Sequence, residues 1–315
     1  MLGSLRKRHW ALRKRISKFV GDAPPLYQGG TIANVFGLQL FRIALHNLGR
    51  LWPPNVDPQY EHYYEILQRD GILIVPNFLP PETFAQLRDY YQACYARRAE
   101  VIDPAREAIN ATYAEYFSNV EEFYCRCDSP ITDRHFSHNQ MILELVTAST
   151  RSPMPGAVSV HFWAHRKLHP KVSAEDLKIM YPTHALHADV PYPSMKVFFY
   201  LNDVDARNGA FSFAVGSHRL TFRRLKLEYK LSTLSKRGRP DGTISEVEAT
   251  ALGLLGAPVC GRANTLIIFN AMGFHKRGDF HDTRPRETIH MDFRFLASRR
   301  NALNSAIRKI GLGHR

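Results

Sequence analysis

The sequence predicts a mainly β domain with helices flanking it, and three observations lead there. First, short runs rich in strand formers follow one another through the second half of the chain, each bounded by Gly, Pro or Asn. They read AVSVHFWA (157–164), THALHADV (183–190), KVFFYLNDV (196–204), AFSFAV (210–215), NTLIIFN (264–270) and ETIHMDFRFL (287–296). Second, these runs do not alternate with long helical stretches, which argues against a doubly wound parallel sheet and for an antiparallel sandwich or barrel. Third, 44% of the 315 residues are apolar, enough for a packed core and too many for a collagen-like or wholly disordered chain. We expect one such domain over residues 58–315 and a helical extension over 1–57.

From the N-terminus, residues 1–20 (MLGSLRKRHWALRKRISKFV) are too interrupted by charge to be a signal peptide. Leu5, Leu12, Ile16 and Phe19 fall near one helical face among seven cations, the pattern of a basic amphipathic helix on a membrane surface. A solvated basic tail is the competing reading. Residues 31–52 are also helical in pattern but carry Arg42 and His46, and no run reaches the ~18–20 apolar residues that a span needs. Pro53, Pro54 and Pro58 then interrupt the pattern, and a helix is expected over 59–70. Asp70-Gly71 marks a turn, 72–78 a strand, and Pro80-Pro81 the first turn of a strong helix. The signal is weak over 99–135, helical over 139–147, loop-like with a short helix over 220–256, and basic-helical over 299–310.

Lys and Arg exceed Asp and Glu by 42 − 29 = 13, and the pI is near 9.7. Such a charge favours anionic partners: phosphates, anionic lipid, nucleic acid or a carboxylate substrate. Neither zinc-finger spacing nor a recognition-helix pattern supports nucleic acid. Four cysteines, Cys94, Cys125, Cys127 and Cys260, are too few for a disulfide-dense scaffold and point to a reducing, cytoplasmic setting, with peripheral membrane contact as an option.

His187 and Asp189 lie two apart in an expected strand, so both side chains share a face. An imidazole and a carboxylate there can reach one metal ion, and the best second histidine is His275 at the end of TLIIFNAMGFH. Two imidazoles and a carboxylate are the facial triad of non-haem Fe(II) oxygenases, with three positions left for cosubstrate and O2. A 2-oxoacid cosubstrate needs a cation for its far carboxylate, a role suited to arginine. Arg286 is the candidate, with Arg284 and Arg294 as alternatives. A chain with 15 histidines can hold an H-x-D pair by chance, so a hydrogen-bonded His187 and a turn-capping Asp189 compete with this reading.

At these residues the chain resembles the phytanoyl-CoA dioxygenase family of Fe(II)/2-oxoglutarate oxygenases. ILQRDGILIVPNF (66–78) and the helix after it are similar to the family's entry segment. His187-Ala188-Asp189 resembles its first two iron ligands, LNDVDARNGAFSFAVGSH (201–218) its central strand–turn–strand, and FNAMGFHKRG the segment of its third ligand, His275. Arg286 matches its arginine for the distal carboxylate of 2-oxoglutarate, and Phe198 falls where an aromatic often borders the cosubstrate, although a core role fits it equally. The resemblance implies a double-stranded β-helix, a jelly-roll or cupin-like barrel, with Fe(II) and 2-oxoglutarate at its open end. It further implies O2-dependent hydroxylation of an unactivated C–H bond in a small-molecule or lipid-like substrate. His218 is expected at a turn or the pocket rim.

The chain departs from the pattern in a short interval between Asp189 and Lys196, in Val215 where proline is usual, and in the run HKRGDFHDTRPR with its added His281. Arg166, Lys167 and Lys171 in the basic, aromatic segment HFWAHRKLHPK (161–171) are candidates for an anionic substrate, with a solvated face as the plainer reading. A nucleic-acid-binding or modifying protein, and a cupin-like metal protein without oxygenase activity, are the alternatives. The oligomeric state has no signature in the sequence.

Overall fold

The computed structural model describes residues 54–97, 120–151, 155–167, 186–189, 193–227, 243–281 and 283–295. The expected helices at 1–20, 31–52 and 299–310 lie outside these residues.

A 3-10 turn, Pro58–Tyr60, leads into α1 (Glu61–Asp70). Helix α1 stops at Gly71, which adopts the left-handed conformation (φ 78°) and returns its N–H to Leu67 O at 3.0 Å. Strand β1 (Ile72–Val75) follows, then α2 (Pro81–Ala96), with proline in its first turn as the sequence predicts. The weak region holds a strand, β2 (Val120–Arg126). Ser129 caps the single turn α3 (Pro130–Thr132) through a capping box, and a π-type turn, Asp133–Ser137, leads to α4 (Gln140–Thr150). Asn139 caps α4 by accepting the Ile142 N–H at 3.1 Å.

The remaining strands are β3 (Pro155–Lys167), β4 (Leu186–His187), β5 (Met195–Tyr200), β6 (Ser212–Phe213), β7 (Thr243–Ile244), β8 (Ala257–Pro258), β9 (Thr265–Asn270), β10 (His275–Lys276) and β11 (Arg286–Phe295). A short helix, α5 (Glu246–Ala251), follows β7. The strands form two antiparallel sheets, ordered β1-β9-β5-β11-β3-β2 and β7-β4-β10-β6-β8.

This corrects the expected fold class. Helix and strand are present in comparable amounts, so the domain is α/β rather than mainly β. Both sheets run from one edge strand to another, and no closed double-stranded β-helix, jelly-roll or cupin-like barrel forms among the described residues. The physical reason lies in the second sheet. All five of its strands are two residues long, so each pair makes only one or two rungs. Closing a barrel requires long tilted strands with a continuous stagger.

The two faces of the larger sheet have different work. One packs on the helices: Val160, Phe162, Val197, Phe199, Ile268 and Ile289 are buried against Leu87 and Tyr91 of α2 and Ile142 and Leu145 of α4. Each fully buried side chain of this size is worth roughly 1.5–3 kcal/mol. Edge-on pairs lock the layer, Tyr91 on Phe162 at 5.1 Å and Phe136 on Phe199 at 5.1 Å. The opposite face turns Tyr200, Ile267 and Phe269 toward Phe211 and Phe213, next to the smaller sheet.

Candidate metal centre

His187 and His275 are direct partners across the antiparallel pair β4 and β10. Their rings stand 4.6 Å apart at 47°. Asp189 leaves β4 two residues later on the same side, as the period of two requires. Its Oδ1 lies 3.3 Å from His187 Nε2 and 3.5 Å from His275 Nε2. One donor atom from each of the three residues falls within 4.8 Å of the others, and this is the only such group of three among the described residues.

Backbone hydrogen bonds set this geometry. The Asp189 N–H donates to Ala271 O at 3.1 Å, and the Ala271 N–H donates to Ser194 O at 2.7 Å. The turn that launches β10 is tight, because a Cβ on Gly273 would lie 2.6 Å from the Phe213 ring. His275 Nδ1 lies 2.9 Å from Gly273 O, and a carbonyl only accepts, so Nδ1 carries the proton. Burial depresses His275 below the usual imidazole range, against the opposing pull of Asp189.

Burial works against charge on Asp189, but His187, His275 and Lys196 outweigh it and hold the carboxyl far below the usual carboxylate range. Two imidazole nitrogens and one carboxylate oxygen converge within 4.8 Å of one another. The donor set therefore fits a divalent metal with open positions.

Arg286, the first residue of β11, is buried. Its Nη1 donates to Gly209 O, and its Nη2 donates to His165 Nδ1 at 3.2 Å. Asn202 braces the strand on both sides of it, donating to Pro285 O at 2.7 Å and accepting the Glu287 N–H at 2.9 Å. Arg284 is half-exposed and pairs with Asp205 at 2.9 Å, and the Arg294 side chain lies outside the described set. Arg286 shares a face of β11 with His290, which stacks on Phe198 at 3.9 Å and 22°. Phe198 packs on Phe269 at 5.0 Å, and Phe269 on His275 at 5.4 Å. Phe198 is thus packed between His290 and Phe269.

His218 stands at the turn after α1, its Nε2 3.2 Å from Gln68 O, and takes no part in the cluster. His161, Trp163 and His165 alternate along β3, with Trp163 against His165 at 5.3 Å and against His290 at 4.5 Å. The side chains of Arg166, Lys167 and Lys171 lie outside the described set. Sequence reasoning missed Lys196, whose ammonium pairs with Asp189 Oδ2, and also His165, Asn202 and His290. For Lys196 the available signal was its spacing of two from Phe198 in β5.

Comparison with known proteins gives a family and a set of distant structural likenesses. The epimerase SnoN in complex with Fe3+, alpha ketoglutarate and nogalamycin RO is 17% identical, with 76% of this chain and 85% of that one covered and a TM-score of 0.48. EctD from S. alaskensis with bound Fe is 12% identical, with 73% and 75% covered and a TM-score of 0.45. A Pseudomonas putida prolyl-4-hydroxylase is 14% identical, with 74% and 97% covered and a TM-score of 0.42. Likenesses of this size carry no functional inference. The search of curated proteins finds no match. The Phytanoyl-CoA dioxygenase (PhyH) family profile matches residues 67–251, which include His187 and Asp189 and end before His275 and Arg286. That span is more than half of the chain, and the chain belongs to the phytanoyl-CoA dioxygenase family.

Proposed function

We propose that this chain is an Fe(II)- and 2-oxoglutarate-dependent dioxygenase that hydroxylates an unactivated C–H bond of a small-molecule or lipid-like anionic substrate. The observation that carries the reading is the convergence of His187 Nε2, Asp189 Oδ1 and His275 Nε2, from β4, the residues after it, and β10. Membership of a dioxygenase family supports it.

In this reading His187, Asp189 and His275 hold the metal. Arg286 takes the distal carboxylate of 2-oxoglutarate, and Phe198 lines the space between. Bound iron with 2-oxoglutarate supplies oxidation of the substrate by O2, coupled to decarboxylation of the cosubstrate to succinate. The chain's own part is placement and exclusion of water. The Gly273 carbonyl holds the His275 proton on Nδ1, so that Nε2 stays a donor to metal. Gly209 and His165 hold the guanidinium, Asn202 holds the backbone on either side of Arg286, and Phe198, Phe211 and Phe269 present an apolar wall.

The net charge of +13 supports an anionic substrate. Residues 58–315 carry the reaction, and the basic 1–57 segment serves peripheral contact with an anionic membrane. Among the described residues, no helix is long and apolar enough to cross one.

The test is anaerobic titration of metal-free protein with Fe(II) and 2-oxoglutarate, followed by the visible charge-transfer band of the chelate. The band is expected in the native protein, absent in His187→Ala, and shifted to much higher 2-oxoglutarate in Arg286→Ala. A well-folded native protein with no band would overturn the reading.

A further inference from the structure

Lys196 lies on the second residue of β5, and its ammonium reaches Asp189 Oδ2. The other oxygen of the same carboxylate, Oδ1, is the one that faces both imidazoles, at 3.3 and 3.5 Å. The two oxygens thus have separate partners. We propose that Lys196 is a positioning residue that restricts Asp189 to one-oxygen coordination and so keeps three positions on the bound ion open for cosubstrate and O2. This rests on the reading of His187, Asp189 and His275 as metal ligands.

A carboxylate can bind a metal through one oxygen or through both. Two imidazoles and a one-oxygen carboxylate leave three of six octahedral positions. A two-oxygen clasp would take a fourth, leaving only the two that a chelating 2-oxoacid needs and none beside them. An ammonium on Oδ2 opposes the clasp, because the second oxygen would have to give up its ion pair with Lys196 to reach the metal.

The placement of Lys196 is built into the fold. The chain of backbone bonds from Asp189 to Ala271 and from Ala271 to Ser194 ties the carboxylate's own backbone to the residues that open β5. Lys196 is also the register partner of Phe269, whose ring packs on His275 at 5.4 Å. The short interval between Asp189 and Lys196 thereby brings ligand and cation to one spot. The side chain is 38% exposed, so an uncharged residue could occupy the position without emptying the core.

The test uses the full-length protein with Co(II), a divalent ion stable to air. Native protein, Lys196→Met and Lys196→Arg are each titrated with Co(II), then with 2-oxoglutarate on the Co(II)-loaded form, and then with azide as a probe of the remaining position, read from the visible Co(II) bands, with thermal unfolding as the check on folding. Lys196→Met is expected to bind Co(II) as tightly as native or more tightly and to take up 2-oxoglutarate, yet to need ~10-fold more azide, and Lys196→Arg to restore the native value. A residue that merely supports the fold would weaken all three. Unchanged azide binding in Lys196→Met, or Co(II), 2-oxoglutarate and azide weakened together, overturns the proposal while leaving the metal site standing. No Co(II) binding by native protein overturns the site reading and this proposal together. Should Lys196→Met fail to fold, Lys196→Gln carries the same comparison.

Discussion

His187 and His275 face each other directly across two strands that are each only two residues long. Little ladder holds them there, and the turn at Gly273 and the backbone tie from Asp189 to Ala271 supply the rest. Metal binding should therefore register as stability. Adding Co(II) at a hundred times its dissociation constant should stabilise the native protein by about 2.7 kcal/mol. His275→Ala should lose that increment while unfolding cooperatively in its absence. Melting curves with and without Co(II) check this, and an equal shift in the variant would place the ion elsewhere.

Asn202 clamps the chain on both sides of Arg286 through Pro285 O and the Glu287 N–H. Asn202→Ala should cost about 1–3 kcal/mol, because it takes the Asn202 side chain from the Glu287 amide, while Pro285 O keeps its bond from Asn208. It should also raise the 2-oxoglutarate needed for the charge-transfer band, since the guanidinium loses its fixed base. Denaturant titration reads the first effect and the anaerobic titration the second. A loss of stability with unchanged 2-oxoglutarate dependence would show that Arg286 is positioned by Gly209 and His165 alone.

The parts legible in the sequence were those whose signal is local. Strands β3 and β11 announced themselves by alternation, and α2 by its leading prolines. His187 and Asp189 followed from a spacing of two. Strand β2 was hidden because its run, VEEFYCR, puts two glutamates in succession and so breaks the alternation of apolar and polar residues. The strands of two residues were illegible as such, since their pairing is set by the partner sheet and not by their own composition. The expectation of a closed barrel failed for that reason: strand number was readable, and strand length and closure were not. Lys196, Asn202 and His165 escaped because each acts through a contact made only in the folded chain.

Stability should also depend on pH through His290. Burial pushes this imidazole well below its usual range, and the charges of Arg286, His165, Lys196 and Arg277 add to the effect. The unfolded chain takes up a proton near pH 6.5, whereas the folded chain does so only at lower pH. The unfolded state then binds more protons, so stability is full above ~6.5 and falls as the pH drops below it, by up to ~1.4 kcal/mol per pH unit for one proton. His135 is depressed by its own burial and contributes in the same direction. His290→Phe, which keeps a ring against Phe198, should therefore flatten the slope between pH 6.5 and 5 without abolishing it. Urea midpoints of both proteins across that range check this, and parallel pH dependence would exclude His290 as a source.

Gly71 carries two separate demands, and they can be measured apart. Its φ of 78° is unfavourable for any residue with a Cβ, and a Cβ there would lie 2.3 Å from His218 Nδ1. The first demand comes from the helix stop at the end of α1, the second from the ring that packs over it. Gly71→Ala should cost roughly 1–2 kcal/mol for the left-handed backbone alone, plus the displacement of His218. His218→Ala removes the ring together with its bond to Gln68 O. Made in that background, Gly71→Ala should cost only the backbone share. The difference between the two costs is the steric coupling, which should be positive because the two groups compete for one space. Equal costs in both backgrounds would mean that the imidazole swings clear, leaving the backbone as the whole reason for glycine at this turn.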